Sequence, residues 1–231
     1  MSHLHAHLRQ YLIMPALMVM LGVLSFNSVA ATTAGVEPDR LIERLFDEMN
    51  ERLQKEKEKV AQDRTLLVDI GEEVLGPYVS FDKMAMQILG KHWRRITEDQ
   101  QDRYTAAFKN RVSYAMASQY DPEQKYELTV TDSKFNDRGN RALVKSEVVN
   151  KSSSKKYLID YKLFYSKKND NWMVYDVIVE GVSMLQSFKT ASNEEMSRKG
   201  IESLIAQLET ESEQDKAKVN GAVGEAMAAQ E

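Results

Sequence analysis

The chain has 231 residues, a formal net charge of −4 and 42% hydrophobic residues. Such a mildly acidic chain is a poor candidate for general nucleic-acid binding, because neutralising phosphates requires a basic face. It contains no cysteine, which excludes disulfides, thiol catalysis, thiolate zinc sites and iron–sulfur clusters built from these residues.

Residues 1–30 have the pattern of a secretory signal peptide. Arg9 is the only formal charge before an apolar run at 11–24, and small residues suit cleavage after Ala30. The run spans about 14 residues and contains Pro15, whereas a transmembrane helix needs ~20 apolar residues. We therefore expect a cleaved signal peptide, and no transmembrane segment in the mature chain.

Four helices are predicted in the first half of the mature chain. Apolar residues recur at helical spacing from Leu41 to Leu53, and Pro38 suits the first turn of that helix. Thr97 and Gln100 fit a capping box that opens the best-marked helix. The predicted helices cover about residues 38–59, 63–75, 82–89 and 97–115.

After Asp121-Pro122 the apolar period changes from helical to alternating, which predicts β-strands. Short polar turns separate the runs, and consecutive strands joined by short turns form an antiparallel meander. The four predicted strands lie at about 126–131, 142–149, 157–165 and 172–179.

The last strand is apolar on both faces except at Asp176, so we expect it to be covered on both faces. By strict alternation, Tyr175 and Val177 face one way, and Trp172 and Val174 face the other.

The segment after the strands predicts a short apolar helix from Val182, then a helix opened by a capping box at Ser192. Residues 211–231 are charged and then alanine-rich, which predicts a mobile tail. Helices first, a meander next and a closing helix last predict one α+β domain at 31–210, with a twisted four-stranded antiparallel sheet packed against several helices.

His92 is the only histidine that would remain after cleavage at Ala30. A Ser-His-Asp hydrolase would have to use it, yet the sequence has no G-x-S-x-G motif. No phosphate-cradling glycine loop is present either. We therefore predict no catalytic residue, no metal site and no cofactor.

Three charged features remain. Two basic clusters could attract acidic surfaces or lipid headgroups, although solvated loop charge is the simpler interpretation. Glu180 precedes Gly181 at the end of the last strand, and we expect it to cap the following helix. The basic clusters are Lys91 with Arg94 and Arg95, and Lys151 with Lys155 and Lys156.

Four segments together carry a resemblance to a known family. They are NWMVYDVIVEGVSM at 171–184, LGKHW at 89–93 followed by Thr97 and Gln100, VLGPYV at 74–79 and KGIESLIAQL at 199–208. In this order they resemble the MlaC family of periplasmic phospholipid-binding proteins, also called the toluene-tolerance auxiliary family. Gly76 stands where leucine is usual in that family.

The resemblance implies a periplasmic carrier whose cargo is a phospholipid. In this family, the acyl chains occupy an apolar pocket between sheet and helices, and lipid moves between an outer-membrane lipoprotein–porin complex and an inner-membrane ABC transporter complex. Together with the apolar pattern, it predicts a lipid pocket lined by Leu89, Trp93, Tyr114, Met116, Tyr161, Leu163, Tyr175, Val177, Val182, Met184 and Leu185.

Two alternatives remain open from the sequence. A pocketless periplasmic adaptor or chaperone domain would have a filled core and no bound lipid. An exported hydrolase would depend on His92.

Overall fold

The computed structural model describes residues 37–228, with side chains through residue 221. These residues form helices and one antiparallel sheet. The predicted signal peptide lies outside these residues. The helices are α1 (Pro38–Lys55), α2 (Lys57–Gln62), α3 (Leu66–Leu75), α4 (Phe81–Leu89), α5 (Glu98–Ser118) and α6 (Met184–Ala228). The strands are β1 (Tyr126–Phe135), β2 (Arg141–Asn150), β3 (Lys156–Ser166), β4 (Asn171–Val179) and β5 (Val182–Ser183).

The sheet is an antiparallel meander with the order β1-β2-β3-β4-β5. The α+β class and the meander are confirmed, but the prediction of four strands is wrong. Glu180 and Gly181 both have positive φ, 50° and 80°, which closes a two-residue hairpin. Val182 therefore begins β5, where it pairs with Val179 of β4, and does not start a helix.

A register shift changes which residues of β4 share a face. The pairing of β3 with β4 shifts between Lys162 and Leu163, and such a bulge inverts side-chain parity beyond it. We call the face that carries Ala142, Val144 and Leu163 the inner face, and the opposite one the outer face. Pairing places Trp172, Val174, Val177 and Val179 together on the inner face, so the alternation predicted for this strand is wrong.

One buried cluster forms where α1 and α3 pack on the inner face. Leu41 is fully buried, as are Val144 and Leu163 of the sheet. Each such side chain contributes about 1.5–3 kcal/mol by leaving water.

A second buried cluster joins α4, α5 and α6. Tyr104 and Phe108 of α5 pack with Ile88 of α4 and Ile205 of α6. The Tyr104 hydroxyl lies 3.3 Å from that of Ser192, and burial raises the pKa of Tyr104 to about 12. The predicted capping box at the start of α5 is confirmed, since Thr97 and Gln100 exchange both hydrogen bonds.

Helix α6 changes direction at Gly200 and not at Ser192. Gly200 has φ 81° and ψ −176°, a conformation that is essentially restricted to glycine. Ser192, predicted as a helix cap, is instead buried inside the first arm. Across the break, Ser203 Oγ donates to the Glu195 carboxylate at 2.7 Å.

Beyond residue 210 the structure differs from the predicted tail, because α6 continues to Ala228. The buried stripe of its second arm passes from Leu208 to Ser212, Asp215 and Val219 at helical spacing. Two of these residues are polar, so the apolar periodicity of the sequence does not reveal the stripe. Arg111 of α5 holds Asp215 in an ion pair of 2.5 Å.

Asp176 links three elements at one buried carboxylate. Lys162 Nζ of β3 lies 3.0 Å from its Oδ2, and the Ser183 hydroxyl of β5 donates to the same atom at 2.8 Å. The Leu185 backbone N–H, in the first turn of α6, donates to Oδ1 at 3.0 Å. Asp176 therefore caps α6, the role that was predicted for Glu180, whose carboxylate instead accepts from the Leu158 N–H.

Replacing Asp176 should destabilise the fold. Hydrogen bonds to a charged group contribute about 1.5–3 kcal/mol each, so Asp176→Ala should lower the free energy of unfolding by roughly 2–4 kcal/mol in urea titrations. Asp160→Ala, on the same face and without a hydrogen bond among the described residues, should cost less than about 1 kcal/mol. An equal loss of unfolding free energy in the two variants would contradict a stabilising role for the contacts of Asp176.

The buried stripe of α6 can be tested with one charge placed on either side of the helix. Val219→Asp should lower the free energy of unfolding by at least about 2 kcal/mol, because it buries an unpaired carboxylate. Ala217→Asp adds the same charge at an exposed position and should cost only about 0.7 kcal/mol of helix propensity. A freely mobile tail would tolerate both substitutions equally in thermal or urea unfolding.

Candidate functional site

One part of the inner face of the sheet is buried, and the other part is only partly covered by protein. Next to α1 and α3 it is fully buried, for example at Val144 and Leu163. Farther along, Ser146 and Val148 of β2 stay buried, but the apolar side chains of the neighbouring strands keep part of their surface in solvent. We call these residues the half-buried apolar surface: Leu128, Val130, Tyr157, Ile159, Tyr161, Val177 and Val179.

Cross-strand pairing makes this surface continuous. Val130 pairs with Ser146, Ser146 with Ile159, and Ile159 with Val179, so one row crosses four strands. Tyr161 and Val177 form part of the next row. Paired side chains on one face of a sheet lie about 4.5–5.5 Å apart, so the rows form one apolar floor.

Two hydroxyl groups lie at the centre of this surface, on Ser146 and Tyr161. Ser146 Oγ donates to the Ile159 carbonyl at 2.8 Å. Burial raises the pKa of the Tyr161 phenol, and a hydrogen bond with Ser146 offsets part of that rise. The phenol therefore stays neutral at physiological pH, and the floor suits an apolar ligand.

Four predicted lipid-binding residues lie in the first buried cluster or pack against it. Leu163 is fully buried, Tyr161 and Val177 lie in the half-buried apolar surface, and Tyr114 of α5 packs against the same cluster. Lys216 Nζ of α6 lies 5.8 Å from the centre of the Tyr114 ring.

Three others lie in the second cluster. Leu89 is buried there, and Trp93 and Leu185 pack against it. The structure therefore divides these residues between two buried clusters and does not bring all the predicted positions together.

Tyr175 faces away from the predicted site because of the register shift in β4. Its ring packs edge-to-face against Phe164 of the outer face, with centroids 6.0 Å apart. Lys83 Nζ of α4 lies 4.1 Å from the Phe164 centroid and 5.7 Å from that of Tyr175. Burial, with a smaller contribution from Arg141, lowers the pKa of Lys83.

The last three predicted residues are exposed. Met116, Val182 and Met184 retain 63%, 57% and 42% of their surface in solvent. The apolar lipid pocket expected between sheet and helices is therefore not confirmed as a single enclosed site.

Five members of the half-buried apolar surface were not among the predicted residues: Leu128, Val130, Tyr157, Ile159 and Val179. Tyr157 and Ile159 share a parity with Tyr161 in β3, so alternation alone identifies them. Val179 shares a parity with Val177 in β4, so alternation identifies it as well.

The described residues assemble no hydrolytic centre around His92. It is half-buried in a short helical turn, Gly90–Arg95, and makes no hydrogen bond to a serine or carboxylate within the described part of the chain. Across the same residues, no group of histidine, aspartate and glutamate side chains has the geometry of a metal site. None of the described helices is both long and apolar enough to cross a membrane.

Comparison with protein families matches residues 43–210 to the model described as MlaC protein. Among curated proteins, the chain is 21% identical over 190 residues to the intermembrane phospholipid transport system binding protein MlaC of Haemophilus influenzae, covering 82% of this chain and 89% of that protein. It is 26% identical over 185 residues to the toluene tolerance protein ttg2D of Pseudomonas putida, covering 80% and 82%.

The fold matches a solved structure as well. A phospholipid-binding protein from Ralstonia solanacearum, solved in complex with a phospholipid, superposes with a TM-score of 0.70 at 17% identity. The match covers 77% of this chain and 98% of that one. At this identity the likeness establishes the shared fold.

Proposed function

This chain belongs to the MlaC family, and we propose that it binds a phospholipid and carries it through the periplasm. The half-buried apolar surface is the observation that carries this proposal. Relatives named for phospholipid transport and a shared fold with a lipid-bound protein support it.

The physical case rests on the energy of acyl chains in water. Each methylene that leaves water gains about 0.8 kcal/mol, so a carrier must cover most of two long chains. The half-buried apolar surface provides a broad, largely apolar floor, and an acyl chain on it would also shield Ile159, Tyr161 and Val177 from solvent. Binding would therefore remove apolar surface of both the ligand and the protein from water.

The route of transport is the finer part of the proposal. We propose that lipid moves between an outer-membrane lipoprotein–porin complex and an inner-membrane ABC transporter complex, as in the family. The signal-peptide pattern of residues 1–30 supports a periplasmic location.

One observation favours a second candidate, the pocketless adaptor. The two buried clusters divide the predicted lipid-binding residues between them, and three of those residues are exposed. An adaptor with two filled clusters needs no lipid, so bound lipid separates the two functions.

Native mass spectrometry of protein purified without detergent makes this distinction, with organic extraction of bound molecules. The carrier predicts phospholipid at near-stoichiometric occupancy. Folded protein that repeatedly carries no lipid, even after incubation with phospholipid, would favour the adaptor.

The position of the ligand can be tested with neighbouring residues of β3. Ile159→Asp places a charge in the half-buried apolar surface and should reduce phospholipid occupancy at least tenfold, because a carboxylate beside acyl chains is strongly disfavoured. Leu158→Asp adds the same charge on the outer face, where Leu158 is 57% exposed, and should leave occupancy unchanged. Similar occupancy in both variants would place the lipid elsewhere.

A further inference from the structure

A groove of about 500 Å³ lies where α4 ends and the chain turns toward α5. We call it the basic groove, and its lining residues are Met86, Gly90, Lys91, Trp93, Arg94 and Arg95. It is separate from the half-buried apolar surface, because Trp93 packs on the second buried cluster and not on the first.

The positive charges of this groove are not neutralised locally. Lys91, Arg94 and Arg95 are exposed, and none forms an ion pair within the described part of the chain. The other basic cluster, at the β2–β3 turn, differs in this respect. There Lys151 pairs with Glu127, and Lys156 pairs with Glu147 at 2.9 Å.

Apolar side chains accompany the three cations. Met86 keeps 44% of its surface exposed, and Trp93 is half-buried beside it. Exposed basic residues next to tryptophan and another apolar side chain are typical of surfaces at the headgroup level of a bilayer, where the ring is amphipathic and cations meet phosphates.

The backbone of the groove is fixed in place. Gln101 Nε2 donates to the Trp93 carbonyl at 2.8 Å, and the Thr97–Gln100 capping box anchors the following helix. The basic and aromatic side chains are therefore presented from a defined turn, which lowers the ordering cost of binding.

We propose that the basic groove docks the protein on the anionic headgroup layer of a phospholipid bilayer. Charge complementarity identifies this occupant, and the adjacent Met86 and Trp93 favour a lipid surface over an acidic protein. The proposal goes beyond the carrier function, because it concerns contact with a membrane surface rather than the lipid carried inside.

Vesicle co-sedimentation of the full mature chain tests the proposal. The protein should bind vesicles of phosphatidylcholine with phosphatidylglycerol more tightly than vesicles of phosphatidylcholine alone, and rising salt should weaken binding. Arg94→Glu with Arg95→Glu should weaken binding to the anionic vesicles at least about tenfold. Lys155→Glu with Lys156→Glu makes the same change in net charge and should leave binding close to that of the wild type.

Several results would overturn the proposal. They are equal binding to both vesicle types, no vesicle binding at all, and equal losses in the two double variants. Loss of binding to an acidic protein partner with unchanged vesicle binding would assign the groove to that partner instead. Native mass spectrometry separates this proposal from the carrier function, since the Arg94 and Arg95 double variant should keep its bound phospholipid.

Tryptophan fluorescence gives a second readout without a charge substitution. The chain has two tryptophans, so Trp172→Phe leaves Trp93 as the only one. Brominated anionic vesicles should quench Trp93 and shift its emission to shorter wavelength. Unchanged emission in folded, vesicle-bound protein would rule out contact between the groove and the bilayer.

Discussion

The arrangement of sheet and helices depends on the carboxylate of Asp176. A fully buried carboxylate is costly unless its lone pairs are filled, and here an amine, a hydroxyl and a backbone N–H fill them. Because the three donors come from β3, β5 and the start of α6, meeting this requirement fixes the hairpin at 180–181 and the point where α6 leaves the sheet. The second buried cluster is thereby held at a set position along β4.

The bulge opposite Lys162 and Leu163 has a comparable effect on the candidate site. It places Val177 and Val179 on the inner face and turns Tyr175 to the outer one. Without the shift, Asp176 would pair with Tyr161 and point to the inner face, away from Lys162. The same irregularity therefore keeps the floor apolar and gives the carboxylate its partners.

Local patterns in the sequence were sufficient to predict most elements of the fold. Helical periodicity, the capping box at Thr97 and the alternation of β1–β3 gave the helices and the meander. The fifth strand was missed because Glu180 adopts positive φ, which is uncommon for glutamate. The end of α6 was missed because Ser212 and Asp215 occupy core-facing positions, and Arg111, 104 residues earlier, makes Asp215 tolerable there. Residue pattern alone does not encode such distant partners.

The candidate site was less predictable than the fold, and the reason is physical. A lipid carrier needs apolar side chains that are only partly covered by protein. Such residues are of the same types as core residues, so residue type alone does not distinguish the two. Leu163 and Ile159 lie on one strand at one parity, but the first is fully buried and the second is half-buried. Leu163 belongs to the cluster that the sheet forms with α1 and α3, whereas Ile159 lies outside that cluster. Helix placement, and not hydrophobicity, thus decides which apolar residues remain available to a ligand.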